Sequence, residues 1–167
     1  MPRSFDFSVE SPVSVEQIHS AFSEEDYWLA RLAPLGDIGT LDSLIIGTDG
    51  SVHVVTIHDL RHDWLPGLFA KLYPRDLEVV QNETWSLIGG GLLRGEVSTA
   101  ARGAPGSGLS TVLLAPVQNA SRLKCTATVE LKVPLVGGKI ESYMGRQMVE
   151  ETPLMLRFIA KWITEHA

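Results

Sequence analysis

The sequence holds a single cysteine, Cys125. One thiol cannot close an internal disulfide or furnish a structural zinc site, which fits a reducing compartment. Basic clusters are missing too: 14 Lys and Arg stand against 20 Asp and Glu, the formal net charge is −6 with His neutral, and no stretch concentrates the positive residues. The electrostatic footprint of a nucleic-acid binder is therefore absent, and neither nucleic acid nor an anionic membrane is an expected partner. No apolar run approaches the roughly 18 residues of a membrane-spanning helix. The opening Met1-Pro2-Arg3-Ser4-Phe5-Asp6 lacks the apolar core of a signal peptide. These absences predict a cytoplasmic protein without stable membrane insertion. Repeats, linkers and low-complexity tails are also lacking, so the 167 residues read as a single domain over 1–167.

What is present is a change of hydrophobic period along the chain. Ser4 to Glu10 alternates, with Phe5, Phe7 and Val9 on one face, and predicts a half-buried strand. Ser14-Val15-Glu16-Gln17 reads as a capping box opening a helix to about Phe22. Ser23 followed by Glu24, Glu25 and Asp26 predicts a second cap and a helix through Leu32, ending near Pro34–Gly36. Strands follow at Leu41–Ile46 and Val52–Ile57 around Asp49-Gly50, a hairpin turn. Leu60 to Pro74 predicts a short helix or ordered loop. A meander of four strands comes next: Leu77–Leu87, Leu92–Ala101, Leu109–Val117 and Arg122–Val133. In the last, Leu123, Cys125, Ala127, Val129, Leu131 and Val133 form a dry face. From Lys139 to Glu165 the period becomes helical, with Ile140, Met144, Met148, Met155, Phe158, Ile159, Trp162 and Ile163 near one stripe, and Pro153 predicts a kink.

The order strand, two short helices, six antiparallel strands, long helix is that of an α+β helix-grip fold, a curved seven-stranded sheet wrapped around the last helix. In detail the sequence resembles the START-like superfamily of birch-pollen-allergen and polyketide-cyclase relatives, and within it an uncharacterised actinobacterial family. The resemblance spans essentially the whole chain. Its blocks are Ser4-Phe5, Val15-Glu16-Gln17-Ile18-His19, Asp26-Tyr27-Trp28-Leu29-Ala30-Arg31-Leu32, Glu83-Thr84-Trp85 and Lys132-Val133-Pro134-Leu135-Val136-Gly137-Gly138-Lys139-Ile140-Glu141. It implies an elongated cavity between sheet and final helix, used across the superfamily for lipids, polyketides, plant hormones and other largely apolar ligands.

Several residues are candidates for work in such a cavity. Met144, Met148 and Met155 form either a polarizable wall for ligands of irregular shape or ordinary core. Gly95 and Ala127 on inward faces leave space beneath the helix unless large side chains opposite fill it. Glu83 and Trp85 share a strand face with Val79 and Gln81. Turned inward, Glu83 is a buried carboxylate beside an amide and an indole, suited to anchoring or proton transfer; turned outward, it is solvated. Asp26, Tyr27, Trp28 and Arg31 make either a rim at the cavity mouth or a helix packed on the sheet. Cys125, on a dry face without adjacent His or Lys, reads as an inert buried thiol.

Other chemistry is disfavoured. His53, His58 and His62 with Asp59 and Asp63 contain metal-ligand types, but the odd spacing of His53 and His58 puts them on opposite strand faces. His19 and His166 read as surface or rim residues. The glycine runs lack the strand-to-helix setting and Lys-Ser/Thr of a phosphate loop, and no serine nucleophile elbow occurs. No metal or cofactor is expected. The leading expectation is binding or carriage of an apolar or amphipathic small molecule, lipid, isoprenoid or polyketide-like, without turnover, with Tyr27, Gln81, Glu83, Trp85, Cys125, Met144, Met148 and Met155 as the binding residues. The alternatives are a cyclase or dehydratase using a cavity acid/base, and a ligand-free interaction module with a filled core.

Overall fold

The structure, a computed structural model, describes residues 3–60, 71, 77–102, 106–131 and 137–167. In chain order they form β1 (Arg3–Ser11), α1 (Val15–Phe22), α2 (Glu25–Leu32), a 3-10 stretch (Ala33–Ile38), β2 (Gly39–Ile46), β3 (Val52–Leu60), β4 (Leu77–Gly89), β5 (Leu92–Arg102), β6 (Gly106–Val117), β7 (Ala120–Leu131) and α3 (Gly137–Glu165). The helix or loop expected within 60–74, like His62 and Asp63, lies outside the described residues.

All seven strands pair antiparallel in one sheet, in the order β1-β7-β6-β5-β4-β3-β2. Tight turns explain the meander: Gly50, Gly89, Gly90 and Gly91 supply the positive φ that hairpin reversals demand. β2 is irregular, its register shifting between Leu41 and Ser43. The period-two pattern becomes a wet and a dry face. Phe7, Cys125, Val112, Gly95, Trp85 and Val52 line up across six strands on the dry side, and Phe5, Ala127, Ser110, Val97, Glu83 and Val54 form the next row.

The helices close over that dry face. α1 opens with the expected capping box: Gln17 N donates to Ser14 Oγ at 3.2 Å, and Ser14 N donates to Gln17 Oε1 at 2.9 Å. Val15, Ile18, Ala21 and Phe22 are its buried side. The expected cap at Ser23 is corrected. Glu24 is the N-cap of α2 and makes no side-chain bond, whereas Ser23 Oγ donates back to His19 O at 3.1 Å and closes α1. The acids at 24–26 still favour the start of α2 through its dipole.

α3 runs through Pro153 as one element. Proline removes one donor, and Thr152 Oγ1 adds a bond to Met148 O, one turn back, at 2.7 Å. Its buried seam is Gly137, Ile140, Glu141, Gly145, Leu156 and Ile159; of the stripe expected from sequence, Ile140 and Ile159 are in that seam, Met148, Met155, Phe158, Trp162 and Ile163 pack against the core, and Met144 alone departs from it. At Gly145 the helix lies against the Phe5 ring so closely that a Cβ there would collide with it. The seam through Gly145 turns its neighbour Met144 outward, 37% exposed, while Met148 and Met155 pack on the core.

One side chain locks α3 to the sheet. Glu141, 1% exposed, accepts the Leu131 amide on Oε2 at 2.7 Å, and its Oε1 lies 3.8 Å from Arg3 Nε. The glutamate ending the Gly-Gly-Lys-Ile-Glu block thus satisfies the last amide of β7 and reaches β1.

Candidate functional site

The site grows from β4. Glu83 sits between Val97 and Val54 on the dry face and is 2% exposed, which settles the inward orientation that the mixed faces of this strand left open. Its neighbours two residues either way point the same direction. Gln81 Nε2 donates to Glu83 Oε2 at 2.9 Å, and Trp85 Nε1 donates to Oε1 at 3.2 Å. Each carboxylate oxygen therefore has one neutral donor. The Trp85 ring lies over Gly95, where a Cβ would collide with it. The room expected beneath Gly95 is taken up by this indole.

α2 brings the complementary groups. Tyr27 and Arg31 are one turn apart, so they share a helix face. Tyr27 is 0% exposed and packs within an aromatic group, its ring centroid 5.6 Å from Phe22, 5.1 Å from Trp28 and 5.5 Å from Trp162. Phe22 in turn lies 4.7 Å from Trp85, joining α1 to the sheet. Trp28 Nε1 donates to Phe22 O at 2.8 Å, and the Arg31 guanidinium carbon stands 5.2 Å from the Trp28 ring centre, within cation–π range.

The polar ends of Tyr27 and Arg31 are under-used. The Tyr27 hydroxyl and Arg31 Nη1 are sealed from solvent, and among the described residues neither has a hydrogen-bond partner of good geometry, although the two side chains lie close enough for each to bear on the other's titration. Arg31 Nη2 donates to the Met155 thioether, at 3.0 Å, a weak acceptor. Burial pushes the Tyr27 pKa up to about 12, with Arg31 pulling it down and Glu83 pushing it further up. Burial opposes the charge on Arg31, but Tyr27 and Glu83 outweigh it and hold its pKa above the usual arginine value. His58, half-buried on β3, has its pKa lowered by burial first and by Arg31 second, against the pull of Glu83. A part-buried cation, a buried carboxylate, a neutral phenol and a half-buried imidazole therefore lie within electrostatic reach of one another between α2, α3 and the β3–β4 part of the sheet.

Of the residues expected to bind ligand, Tyr27, Gln81, Glu83, Trp85 and Met155 come together here. Cys125 is inward but three strands from Trp85 along its row, about 14 Å at ordinary strand spacing. Burial raises its thiol pKa, with Ser110 opposing. Met148 packs on the core away from these polar groups' bonds, and Met144 faces outward. Arg31 and His58 join the cluster although the sequence reading put one on a rim and the other in a polar turn. The signals for both were local: the four-residue spacing of Tyr27 and Arg31, and the parity of His58 with Val52, Val54 and Thr56. His53 is exposed on the opposite face, and among the described residues no group of His, Cys, Asp or Glu could hold a metal ion. A separate groove of about 510 Å3 lies across β4–β7, lined by Val80, Asn82, Ser98, Ala100, Leu109 and Thr128 among others.

A family described as "Protein of unknown function (DUF2505)" matches residues 6–163. The chain belongs to the DUF2505 family. This DUF2505 protein is 37% identical over 173 residues to the uncharacterized protein Rv0481c of Mycobacterium tuberculosis, with 99% of each chain covered. The uncharacterized protein Mb0491c of Mycobacterium bovis matches to the same extent. Among solved structures, TTHA0849 from Thermus thermophilus aligns with a TM-score of 0.57 at 14% identity over 99% of both chains. Ara h 8.0201 gives 0.56 at 13% over 99% of both. A START superfamily protein from Mycobacterium smegmatis gives 0.54 at 12%, covering 98% of this chain and 99% of the other. At such identities the shared property is the fold, and this chain has the helix-grip fold of these START and Bet v1-like neighbours. No helix among the described residues is long and apolar enough to cross a membrane.

Proposed function

We propose that this chain is a single ligand-binding domain, working in the cytosol, that holds an amphipathic small molecule of lipid, isoprenoid or polyketide type against the dry face of the sheet. The observation that carries the reading is the pair of buried donor atoms, Tyr27 Oη and Arg31 Nη1, that have no hydrogen-bond partner of good geometry among the described residues. A buried unsatisfied polar group costs about 1–3 kcal/mol, and two together mark a place where a ligand oxygen completes the structure. Around them lie Trp85, Phe158 and Met155, apolar surface against which the ligand body gains about 25 cal/mol per Å2 buried. Met155 and Met148 adapt to ligand shape through their flexible thioethers.

The test is native mass spectrometry of protein purified from its own host without detergent. An added mass that solvent extraction removes is expected. A clean apo mass, together with failure to bind an environment-sensitive apolar dye, would contradict the reading and favour a filled-core interaction module. A second reading rests on Glu83, a buried carboxylate beside a neutral phenol: acid/base chemistry on the bound molecule, of cyclase or dehydratase type. Turnover with a bell-shaped pH profile that Glu83→Gln abolishes would support it; turnover unchanged by Glu83→Gln would remove Glu83 from any mechanism.

A further inference from the structure

The donors of the buried cluster also carry information about which oxygen they receive. We propose that the bound molecule presents a neutral carbonyl oxygen, as in a ketone, ester or quinone, to Tyr27 Oη and Arg31 Nη1, and that fatty-acid-type carboxylates are discriminated against. This rests on the small-molecule binding reading above.

Three features of the enclosure lead there. Both unsatisfied groups can donate: Arg31 Nη1 has no acceptor capacity, and the Tyr27 hydroxyl keeps its O–H free to donate even where its oxygen faces Arg31. A carbonyl oxygen offers two lone pairs and takes one bond from the phenol and one from the guanidinium. The Met155 sulfur that now receives Arg31 Nη2 sits on a flexible side chain, which can yield to a better acceptor. Next, the buried carboxylate in the group is already served: Glu83 has Gln81 on one oxygen and Trp85 on the other. The site therefore asks for an acceptor and has little use for a ligand donor.

Charge decides between the acceptors. Glu83 supports the charge on Arg31, and both act on Tyr27 and His58, so this cation already has a carboxylate within electrostatic reach. A carboxylate entering beside Arg31 would put a second negative charge near Glu83 where water does not screen it. A neutral carbonyl takes the same two hydrogen bonds without that repulsion.

The experiment uses the full chain, stripped of bound lipid, and three probes of equal chain length: 2-dodecanone, dodecanoate and dodecane, titrated by tryptophan fluorescence. The ketone is expected to bind at least about tenfold tighter than dodecanoate and tighter than dodecane. Tyr27→Phe, which keeps the ring, is expected to reduce the advantage of ketone over dodecane by about fivefold to tenfold while dodecane binding is kept. Infrared spectra of bound 2-dodecanone are expected to show a carbonyl stretch lowered in the native protein and partly restored in Tyr27→Phe. Dodecanoate binding equal to or tighter than the ketone, or a carbonyl stretch unchanged by Tyr27→Phe, would overturn the proposal while leaving small-molecule binding intact. Failure of all three probes and of an apolar dye to bind would overturn both.

Discussion

Replacing Glu141 by alanine removes the side chain that joins the first turn of α3 to the last residue of β7. The Leu131 amide then loses its acceptor in a place where both residues are buried. A hydrogen bond to a charged group contributes about 1.5–3 kcal/mol, and the stranded amide adds desolvation of similar order. Together these give a loss of about 3–4 kcal/mol for Glu141→Ala. Glu141→Gln keeps an acceptor oxygen and loses only the charge-assisted part, about 1 kcal/mol. The Arg3 contact is different: the arginine is half-exposed and 3.8 Å away, so Arg3→Ala costs under about 1 kcal/mol. For a chain of this length, 1 kcal/mol moves the melting temperature by about 2–4 °C. Thermal unfolding should therefore rank Glu141→Ala about 10 °C below the native protein, Glu141→Gln a few degrees below it, and Arg3→Ala close to it. Equal losses for Arg3→Ala and Glu141→Ala would refute the reasoning, because the ion pair and not the amide bond would then hold the helix.

Three further outcomes follow from the interior. Gly95→Ala should destabilise by about 1–3 kcal/mol through overpacking and shift tryptophan emission, because its methyl group displaces the Trp85 ring and with it a donor to Glu83; native-like stability and emission would be inconsistent with that contact. Alkaline stability should report Tyr27. The unfolded tyrosine ionises near pH 10 and the folded one at about 12, so folding loses up to about 3 kcal/mol as pH rises between those values. Chemical denaturation series in Tyr27→Phe should lack that part of the loss, and an unchanged alkaline limb would count against a buried neutral phenol. Cys125, buried and with its thiol pKa raised, should resist maleimide in the native protein and react promptly in denaturant; rapid native labelling would show an open path to the dry face.

Much of the architecture was legible because it depends on period and punctuation. Alternation from Leu123 to Leu131, glycine turns at 50 and 89–91, and the box at Ser14–Gln17 each have a local cause. Side-chain direction was harder wherever both faces of an element carry apolar and polar residues. Glu83 could face either way until Trp85 was seen to rest on Gly95, a contact 10 residues apart in sequence that is fixed by register. Met144 was misplaced for a similar reason, since the seam of α3 follows the small Gly145 that Phe5 covers, not the largest apolar residues. The buried role of Arg31 was hidden because arginine on a short helix ordinarily lies at the surface, and only its turn-to-turn relation to Tyr27 hinted otherwise. Glu141 ends a motif legible in the sequence, but its partner amide at Leu131 is a tertiary contact.

The central claim is that the Tyr27 hydroxyl, without a hydrogen-bond partner of good geometry among the described residues, is completed by a ligand oxygen. The most direct measurement is the melting temperature, near neutral pH, of lipid-free native protein against Tyr27→Phe. Phenylalanine keeps the ring and its aromatic contacts while removing the unsatisfied group. The variant is expected to be more stable, by about 1 kcal/mol or 2–4 °C, although it binds the carbonyl probe more weakly. A variant that melts lower than the native protein would show that the hydroxyl already has a partner, and would contradict the claim.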